Sequence, residues 1–451
     1  MPEPLQHPRF GTDGVRGVAI HEITPEFTLA LGRAVGRVLG ASNLCIGRDT
    51  RASGPVLQSA FAAGVAAEGV NVIDLGVVPT PAVAAVAARE SMPGVVITAS
   101  HNPWTDNGIK VFAAGGRKLG DDSQARIESE LESILARDPS GSTPRVVGIV
   151  TRRPEATTDY VNHVVALFGD DSLHGMRVVL DTANGAMSEA APAAFRRLGA
   201  EVIVLNDAPN GENINFESGA THTTGLCDFV RQAGRVDIAF AFDGDGDRVI
   251  AIDETGTPVD GDRLIALAAI DRFASRRLNG GAVVTTVMAN LGFHRAMSDA
   301  GIQVVTTAVG DRFVLEAMEE GGFVLGGEQS GHIIHRDLAT TGDGLLAALV
   351  TAALLRARGG NFSTLASSVM RQYPQVLKNV RVPERPVDPT AAIATAIARE
   401  EAVLGDEGRV LIRTSGTEPV VRVMVEASSQ AAAEAAVDRL CTAVRDAFGA
   451  E

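Results

Sequence analysis

Short apolar, β-branched runs alternate with alanine-rich helical runs through most of the chain, and that rhythm leaves few folds open. Leu44–Gly47 reads as a strand, Pro55–Glu68 as a helix, Val70–Leu75 as a strand, Pro81–Arg89 as a helix and Val95–Ile97 as a strand. Strand, helix, strand in that order predicts parallel strands with helices on the sheet faces. The rhythm returns at Met176–Leu180, Ser188–Leu198, Val202–Leu205 and Ile238–Phe242. It returns again at Ala282–Val287, Val304–Thr307, Asp311–Glu319, Phe323–Leu325 and Gly344–Arg356. From about Arg371 the pattern changes. A strand (Val376–Val382), a helix (Ala391–Glu401), two strands (Val410–Arg413, Val420–Val425) and a long helix (Gln430–Phe448) describe a smaller α+β domain.

A chain of 451 residues is too long for one core. Three α/β units followed by one α+β unit are expected, with borders at 1–155, 156–255, 256–368 and 369–451; Asp138–Thr143 is the best linker candidate in the first third. The net charge of −15 argues against a nucleic-acid partner. It leaves room for a small anionic ligand held by a local cluster of cations. Three cysteines, odd in number and far apart, form neither a disulfide framework nor a zinc motif, so a reducing, cytoplasmic setting is expected. The start Met1-Pro2-Glu3-Pro4 is not a signal peptide, and the longest uncharged apolar stretch, near Leu345–Leu355, is about half of a membrane span. No membrane partner is expected.

Chemistry gathers at the ends of the predicted strands, where open α/β sheets bind ligands. After Val95–Ile97, the segment Ala99-Ser100-His101-Asn102-Pro103 stops the strand, because Pro103 lacks an N–H and disfavours helical geometry before it. Ser100 either caps this turn or is presented to a ligand. His101, next along an extended chain, should point away from Ser100 and act behind it. Asp106-Asn107-Gly108-Ile109-Lys110 reads as a hairpin-like turn that returns Lys110 to the same end. Phe10–Gly17, with three glycines, is either a ligand-binding loop presenting Arg16 or a tight turn.

Asp243-Gly244-Asp245-Gly246-Asp247-Arg248 is the strongest local signal. Three alternating carboxylates repel one another unless a cation sits among them. All-oxygen ligation suits Mg²⁺, Mn²⁺ or Ca²⁺ rather than zinc. A calcium hand is rejected, although Glu254 falls at the twelfth position, because Arg248 stands where the hand needs glycine and Val249–Ile252 resumes a strand. Mg²⁺ is favoured, since three carboxylates leave positions open for phosphate oxygen, with Arg248 beside them. Glu328, Ser330 and His332 lie in a glycine-rich loop suited to sugar hydroxyls. Arg413, Ser415, Gly416, Thr417 and Arg422 form a phosphate-clamp pattern of two bidentate cations around a hydroxyl-rich turn.

Taken together, these loops resemble the α-D-phosphohexomutase superfamily from Arg9 almost to the C-terminus, with all four motif loops in order. The resemblance implies three related α/β domains with mixed or parallel sheets and a C-terminal domain like the TATA-binding-protein fold. It makes Ser100 the carrier of the transferable phosphate. Mg²⁺, one per chain, would lie on Asp243, Asp245, Asp247 and the serine phosphate. Arg248, Glu328, Ser330, Arg413, Ser415, Gly416, Thr417 and Arg422 would bind substrate, and Arg16, Lys110 and His332 would move protons or stabilise charge. Glu328-Gln329-Ser330 is similar to the branch acting on glucosamine phosphates. Thr414 and Trp104-Thr105 depart from the family's usual residues at positions that bear no ligand. The implied reaction interconverts glucosamine 6-phosphate and glucosamine 1-phosphate through glucosamine 1,6-bisphosphate, toward UDP-N-acetylglucosamine and cell-wall precursors. The rivals are a phosphomannomutase or phosphoglucomutase, a metal-dependent phosphatase, and a non-catalytic sugar-phosphate sensor. Oligomeric state, a homodimer included, is left open by the sequence.

Overall fold

The computed structural model describes residues 7–11, 14–136, 146–415 and 419–449. The linker candidate Asp138–Thr143 and the clamp residues Gly416 and Thr417 lie outside them. The chain divides into two compact units, Met1–Val287 with Ile302–Ser367, and Met288–Gly301 with Ser368–Glu451.

The first unit holds three sheets. In the first sheet, β1 (Val15–Val18), β2 (Asn43–Arg48), β3 (Asn71–Val77), β4 (Gly94–Ile97), β5 (Asp106–Ala113), β6 (Arg117–Lys118) and β7 (Val150–Arg152) take the order β1-β5-β4-β2-β3-β7, with β6 beside β5. The pairs β4–β2, β2–β3 and β3–β7 are parallel, as the βαβ rhythm requires, and β5 runs antiparallel to β4 and β1. In the second, β8 (Arg177–Asp181), β9 (Glu201–Leu205) and β10 (Ile238–Phe242) are parallel, and β11 (Val249–Ile252) and β12 (Pro258–Val259) return antiparallel. In the third, β13 (Ala282–Thr286) pairs in parallel with β14 (Gln303–Thr307) and β15 (Leu325–Gly327), and β16 (Ile333–His335) closes the edge antiparallel. The mixed and parallel α/β expectation holds in all three.

The second unit has one antiparallel sheet, ordered β17 (Gln375–Arg381), β19 (Val420–Glu426), β18 (Arg409–Thr414). Val421, Val423 and Val425 put one face of β19 against Ala433, Val437, Leu440 and Val444 of the helix Gln430–Phe448. The helix Leu291–Asp299 belongs to this unit. Asn290 joins it to Tyr373, accepting from the Tyr373 N–H at 3.0 Å and donating to its carbonyl at 2.9 Å. The α+β expectation is met.

Two local readings fail. Asp106–Lys110 is not a turn but the start of β5, with Lys110 paired to Val96 in mid-strand. The reversal happens earlier, over 98–105, because Arg51 gathers that segment's carbonyls. Its guanidinium donates to the carbonyl oxygens of Ser100 and Asn102 at 2.8 Å, of Asp106 at 2.9 Å, and of Pro103. Nε is held by the buried Asp49 carboxylate at 2.8 Å. The helix expected over Ala391–Glu401 is broken at Ile393, whose backbone leaves helical geometry (φ −121°, ψ 21°), into Pro389–Ala392 and Ala394–Leu404.

Arg51 and Asp49 are both fully buried, so removing one strands the other as an uncompensated charge. Arg51→Met should lower the stability of the first unit by roughly 3–5 kcal/mol. Adding Asp49→Asn should recover part of that loss, because the orphaned carboxylate is gone. Urea unfolding midpoints test this; a double variant no more stable than Arg51→Met contradicts it.

Candidate active site

Ser100 stands just past the carboxyl end of β4, and its backbone is left-handed (φ 52°). Such a conformation costs a non-glycine residue about 1–3 kcal/mol and persists only when its surroundings impose it. Here they do. The Ser100 carbonyl accepts from Arg51 at 2.8 Å and from the Asn215 amide at 2.9 Å, and its N–H donates to Thr98 Oγ1 at 2.8 Å. Thr98 in turn donates to Asp49. The Ser100 hydroxyl, fully buried, donates to Asp243 Oδ2 at 2.6 Å. His101 does not point away as an extended chain would require. The left-handed turn at Ser100 swings its Nδ1 to 3.4 Å from Oγ. Burial, with Arg248 and Arg16 nearby, lowers its pKa to about 4 and keeps it neutral.

The aspartate loop joins the antiparallel strands β10 and β11, so its carboxylates are folded inward by a tight reversal. Asp243, Asp245 and Asp247 are all buried, and one oxygen from each lies within 4.8 Å of the others. Gly244 permits the approach to Ser100, since a Cβ there would stand 2.7 Å from the Ser100 carbonyl oxygen. Asp245 Oδ2 accepts from Thr80 Oγ1 at 2.7 Å and from Lys110 Nζ at 2.9 Å; Lys110 also donates to Asp247 Oδ2 at 2.9 Å. Burial and the two neighbouring carboxylates push Asp243 well above the usual range. Burial also opposes ionisation of Asp247, but Lys110, His332 and Arg248 overrule it and hold that carboxyl well below.

A divalent cation fits this donor set. Asp245 Oδ1 and Asp247 Oδ1 are buried oxygens that accept no hydrogen bond, an expensive condition for carboxylates unless a cation meets them. The ligands are all hard oxygens.

Beside the loop lies a cavity of about 410 Å³, lined among others by Arg16, Asp247, Arg248, Asp311, Glu328 and His332. This size suits a hexose phosphate. Glu328 accepts the Gly310 N–H at 3.1 Å, whereas Ser330 is exposed on the same turn. The His332 ring is buried with Nδ1 3.8 Å from Asp247 Oδ1 and Nε2 3.5 Å from Asp311 Oδ2. Gly342 lies flat against it; a Cβ there would be 2.3 Å from Nε2.

In the second unit, Arg413 and Arg422 are direct cross-strand partners on β18 and β19, so both side chains project from the same sheet face. Burial and the neighbouring Arg422 lower the pKa of Arg413. The Nε atoms of both arginines and Ser415 Oγ are buried and make no hydrogen bond, which marks a cradle for an anion. Sequence reasoning missed Arg51, Asn215, Thr80 and Asp311. The charged run Arg48-Asp49-Thr50-Arg51 at the carboxyl end of β2 was the signal available for the first.

Four family models cover the chain: phosphoglucomutase/phosphomannomutase α/β/α domain I over residues 7–138, domain II over 158–256, domain III over 260–373 and the C-terminal domain over 377–443. The phosphoglucosamine mutase of Saccharopolyspora erythraea is 48% identical over 443 residues, covering 96% of this chain and 98% of that one. That of Thermobifida fusca is 48% identical over 446 residues, covering 97% and 98%. Among solved structures, a phosphoglucomutase/phosphomannomutase family protein from Burkholderia thailandensis superposes with a TM-score of 0.80 at 26% identity, covering 98% of each chain. The N-acetylphosphoglucosamine mutase of Aspergillus fumigatus, in complex with GlcNAc-6P and magnesium, shares the fold at a TM-score of 0.68 and 19% identity, covering 99% of this chain and 97% of that one. From the serine turn to the paired arginines, the motif loops and the four domain matches agree: the chain belongs to the phosphoglucomutase/phosphomannomutase family of α-D-phosphohexomutases.

Proposed function

We propose that the chain interconverts glucosamine 6-phosphate and glucosamine 1-phosphate, with Ser100 as the phosphate carrier. The observation that carries this reading is the buried Ser100 hydroxyl, 2.6 Å from Asp243 at the edge of the three-carboxylate cluster. A sensor has no need of a nucleophile presented there at the cost of backbone strain. The choice of glucosamine rests on the similarity to the bacterial relatives and on Glu328-Gln329-Ser330. The domain borders at 155, 255 and 368 and a cytoplasmic setting belong to the same reading.

Phosphorylated Ser100 gives its phosphoryl group to the O1 hydroxyl of glucosamine 6-phosphate. The serine Oγ–P bond breaks, an O1–P bond forms, and the proton leaving O1 ends on the freed Oγ, with Arg16, Lys110 and His332 dividing proton transfer and charge stabilisation among them. Glucosamine 1,6-bisphosphate then turns end for end; the O6–P bond breaks, the Ser100 Oγ–P bond forms again, the Oγ proton ends on O6, and glucosamine 1-phosphate leaves. Asp243, Asp245, Asp247 and the serine phosphate would hold one Mg²⁺, which supplies neutralisation of charge on the transferring group. Arg248 and Glu328 line the sugar's cavity. Arg413, Ser415 and Arg422, with Gly416 and Thr417, bind the phosphate that is not reacting, and Ser330 and His101 take supporting parts. Because one clamp serves either end of the sugar, it recognises phosphate rather than ring position.

Ser100→Ala should abolish turnover of the monophosphate, and near-normal rates in that variant exclude the phosphoserine route. Intact-mass analysis of the purified protein should show a fraction one phosphate heavier, the phosphate mapping to Ser100; phosphate found only elsewhere contradicts the assignment. Chelation should stop turnover and Mg²⁺ restore it, with Asp245→Asn shifting the Mg²⁺ requirement upward about 10-fold or more. An unchanged metal dependence contradicts the metal loop. Against the rivals, kcat/KM should favour glucosamine over glucose and mannose phosphates, and inorganic phosphate should not accumulate.

A further inference from the structure

A row of charged and polar side chains leads away from the aspartate loop through His332 to Asp311 and Lys118, to which the reaction above gives no part. Asp311 opens the helix Asp311–Gly321, and its Oδ1 accepts the Arg312 N–H at 2.8 Å. Its Oδ2 takes the ammonium of Lys118, from β6, and stands 3.5 Å from His332 Nε2. The other ring nitrogen of His332 stands 3.8 Å from Oδ1 of Asp247, one of the two cluster oxygens that accept no hydrogen bond. All four side chains are largely buried: Lys118 is 16%, Asp311 12%, His332 3% and Asp247 5% exposed. Lys118 lies within the domain I match, Asp247 within domain II, and Asp311 and His332 within domain III.

We propose that Lys118 and Asp311 are positioning residues for the metal loop, fixing the His332 ring so that it in turn sets the orientation of the Asp247 carboxylate. Partners in the shell behind a metal ligand orient that ligand, and their loss typically weakens metal affinity 10- to 100-fold. The imidazole cannot rotate away, because Gly342 packs against its face. Lys118 fixes which oxygen of Asp311 is engaged. In an Asp311→Asn variant the amide oxygen keeps the place of Oδ2 beside Lys118, which can only donate, and the NH₂ takes the place of Oδ1 at the Arg312 N–H, so His332 Nε2 loses its charged partner.

The inference rests on the metal-loop reading above, and its test does not use turnover. Chelator-treated wild type, Asp311→Asn, His332→Gln and the double variant are titrated with Mn²⁺, with the free aqueous ion followed by electron paramagnetic resonance. Each single variant should bind Mn²⁺ about 10- to 100-fold more weakly. The double should match the weaker single within about 3-fold, because both changes cut one path. Unchanged affinity in Asp311→Asn, or losses that multiply in the double, overturns the proposal. Should Asp311→Asn fail to fold by circular dichroism, Lys118→Met replaces it in the same cycle, with the same outcomes deciding. A wild type that binds no Mn²⁺ overturns both this inference and the metal loop. Coupled Mn²⁺ binding in a protein without mutase activity leaves the inference standing and removes the proposed reaction.

Discussion

The geometry of the site depends on one guanidinium. Arg51 spends its donors on the carbonyls of Ser100, Asn102, Pro103 and Asp106 and on the Asp49 carboxylate. A rigid fork of five N–H groups is the one side chain that can gather so many acceptors without folding on itself. That gathering holds Ser100 in a left-handed turn that alanine-rich or β-branched neighbours would never impose. It also ties the first two α/β layers together, because Asn215, within the domain II match, donates to the same Ser100 carbonyl, and Thr50 and Ala52 bond to Asn184 and Gly211. The serine sits at the junction of two domains rather than in a loop of one.

Around this fixed point the charges are arranged to be unsatisfied. Lys110 bridges two of the three buried carboxylates, Asp245 and Asp247, and burial works against ionisation of Asp243 and Asp247. The result is asymmetric: Asp243, which accepts from the serine hydroxyl and the Arg248 N–H and faces the other two carboxylates, is pushed up, while Asp247, beside Lys110, His332 and Arg248, is held down. Oδ1 of Asp245 and Oδ1 of Asp247 still accept no hydrogen bond. A bare protein gains nothing from that arrangement. In the proposed reaction a divalent cation and a phosphate of opposite sign would complete it together, which places nucleophile and metal loop in one constellation.

Much of this was legible before any coordinates. Strand ends carry the motifs because parallel sheets put loops there, and Asp243–Asp247, Ser100 and Lys110 meet as the family resemblance implies. What was not legible came from residues whose partners are distant in sequence. Lys110 was read as leaving a turn at Asp106–Gly108, since Asn-Gly is a turn signal; the true reversal lay upstream and was set by Arg51, some fifty residues away. His101 was expected to face away because alternation assumes extended backbone, and the positive φ at Ser100 breaks that assumption. The helix Leu291–Asp299 sits in sequence among the strands of the third sheet, yet it packs with the C-terminal unit through Asn290, Arg409 and Glu426. No local pattern announces that.

The paired arginines of the last sheet carry the electrostatic logic one step further. Like charges directly opposite each other on neighbouring strands destabilise a sheet, and burial of Arg413 compounds the cost. Among the described residues neither arginine has a hydrogen-bond partner at Nε, whereas Arg409, four residues before Arg413 on the same strand, has its Nε held by Glu426. The two anion sites are therefore unlike. One is built from carboxylates and needs a cation before it will accept phosphate. The other is cationic already. In the proposed reaction the first would hold the phosphoryl group in transit and the second the phosphate that stays.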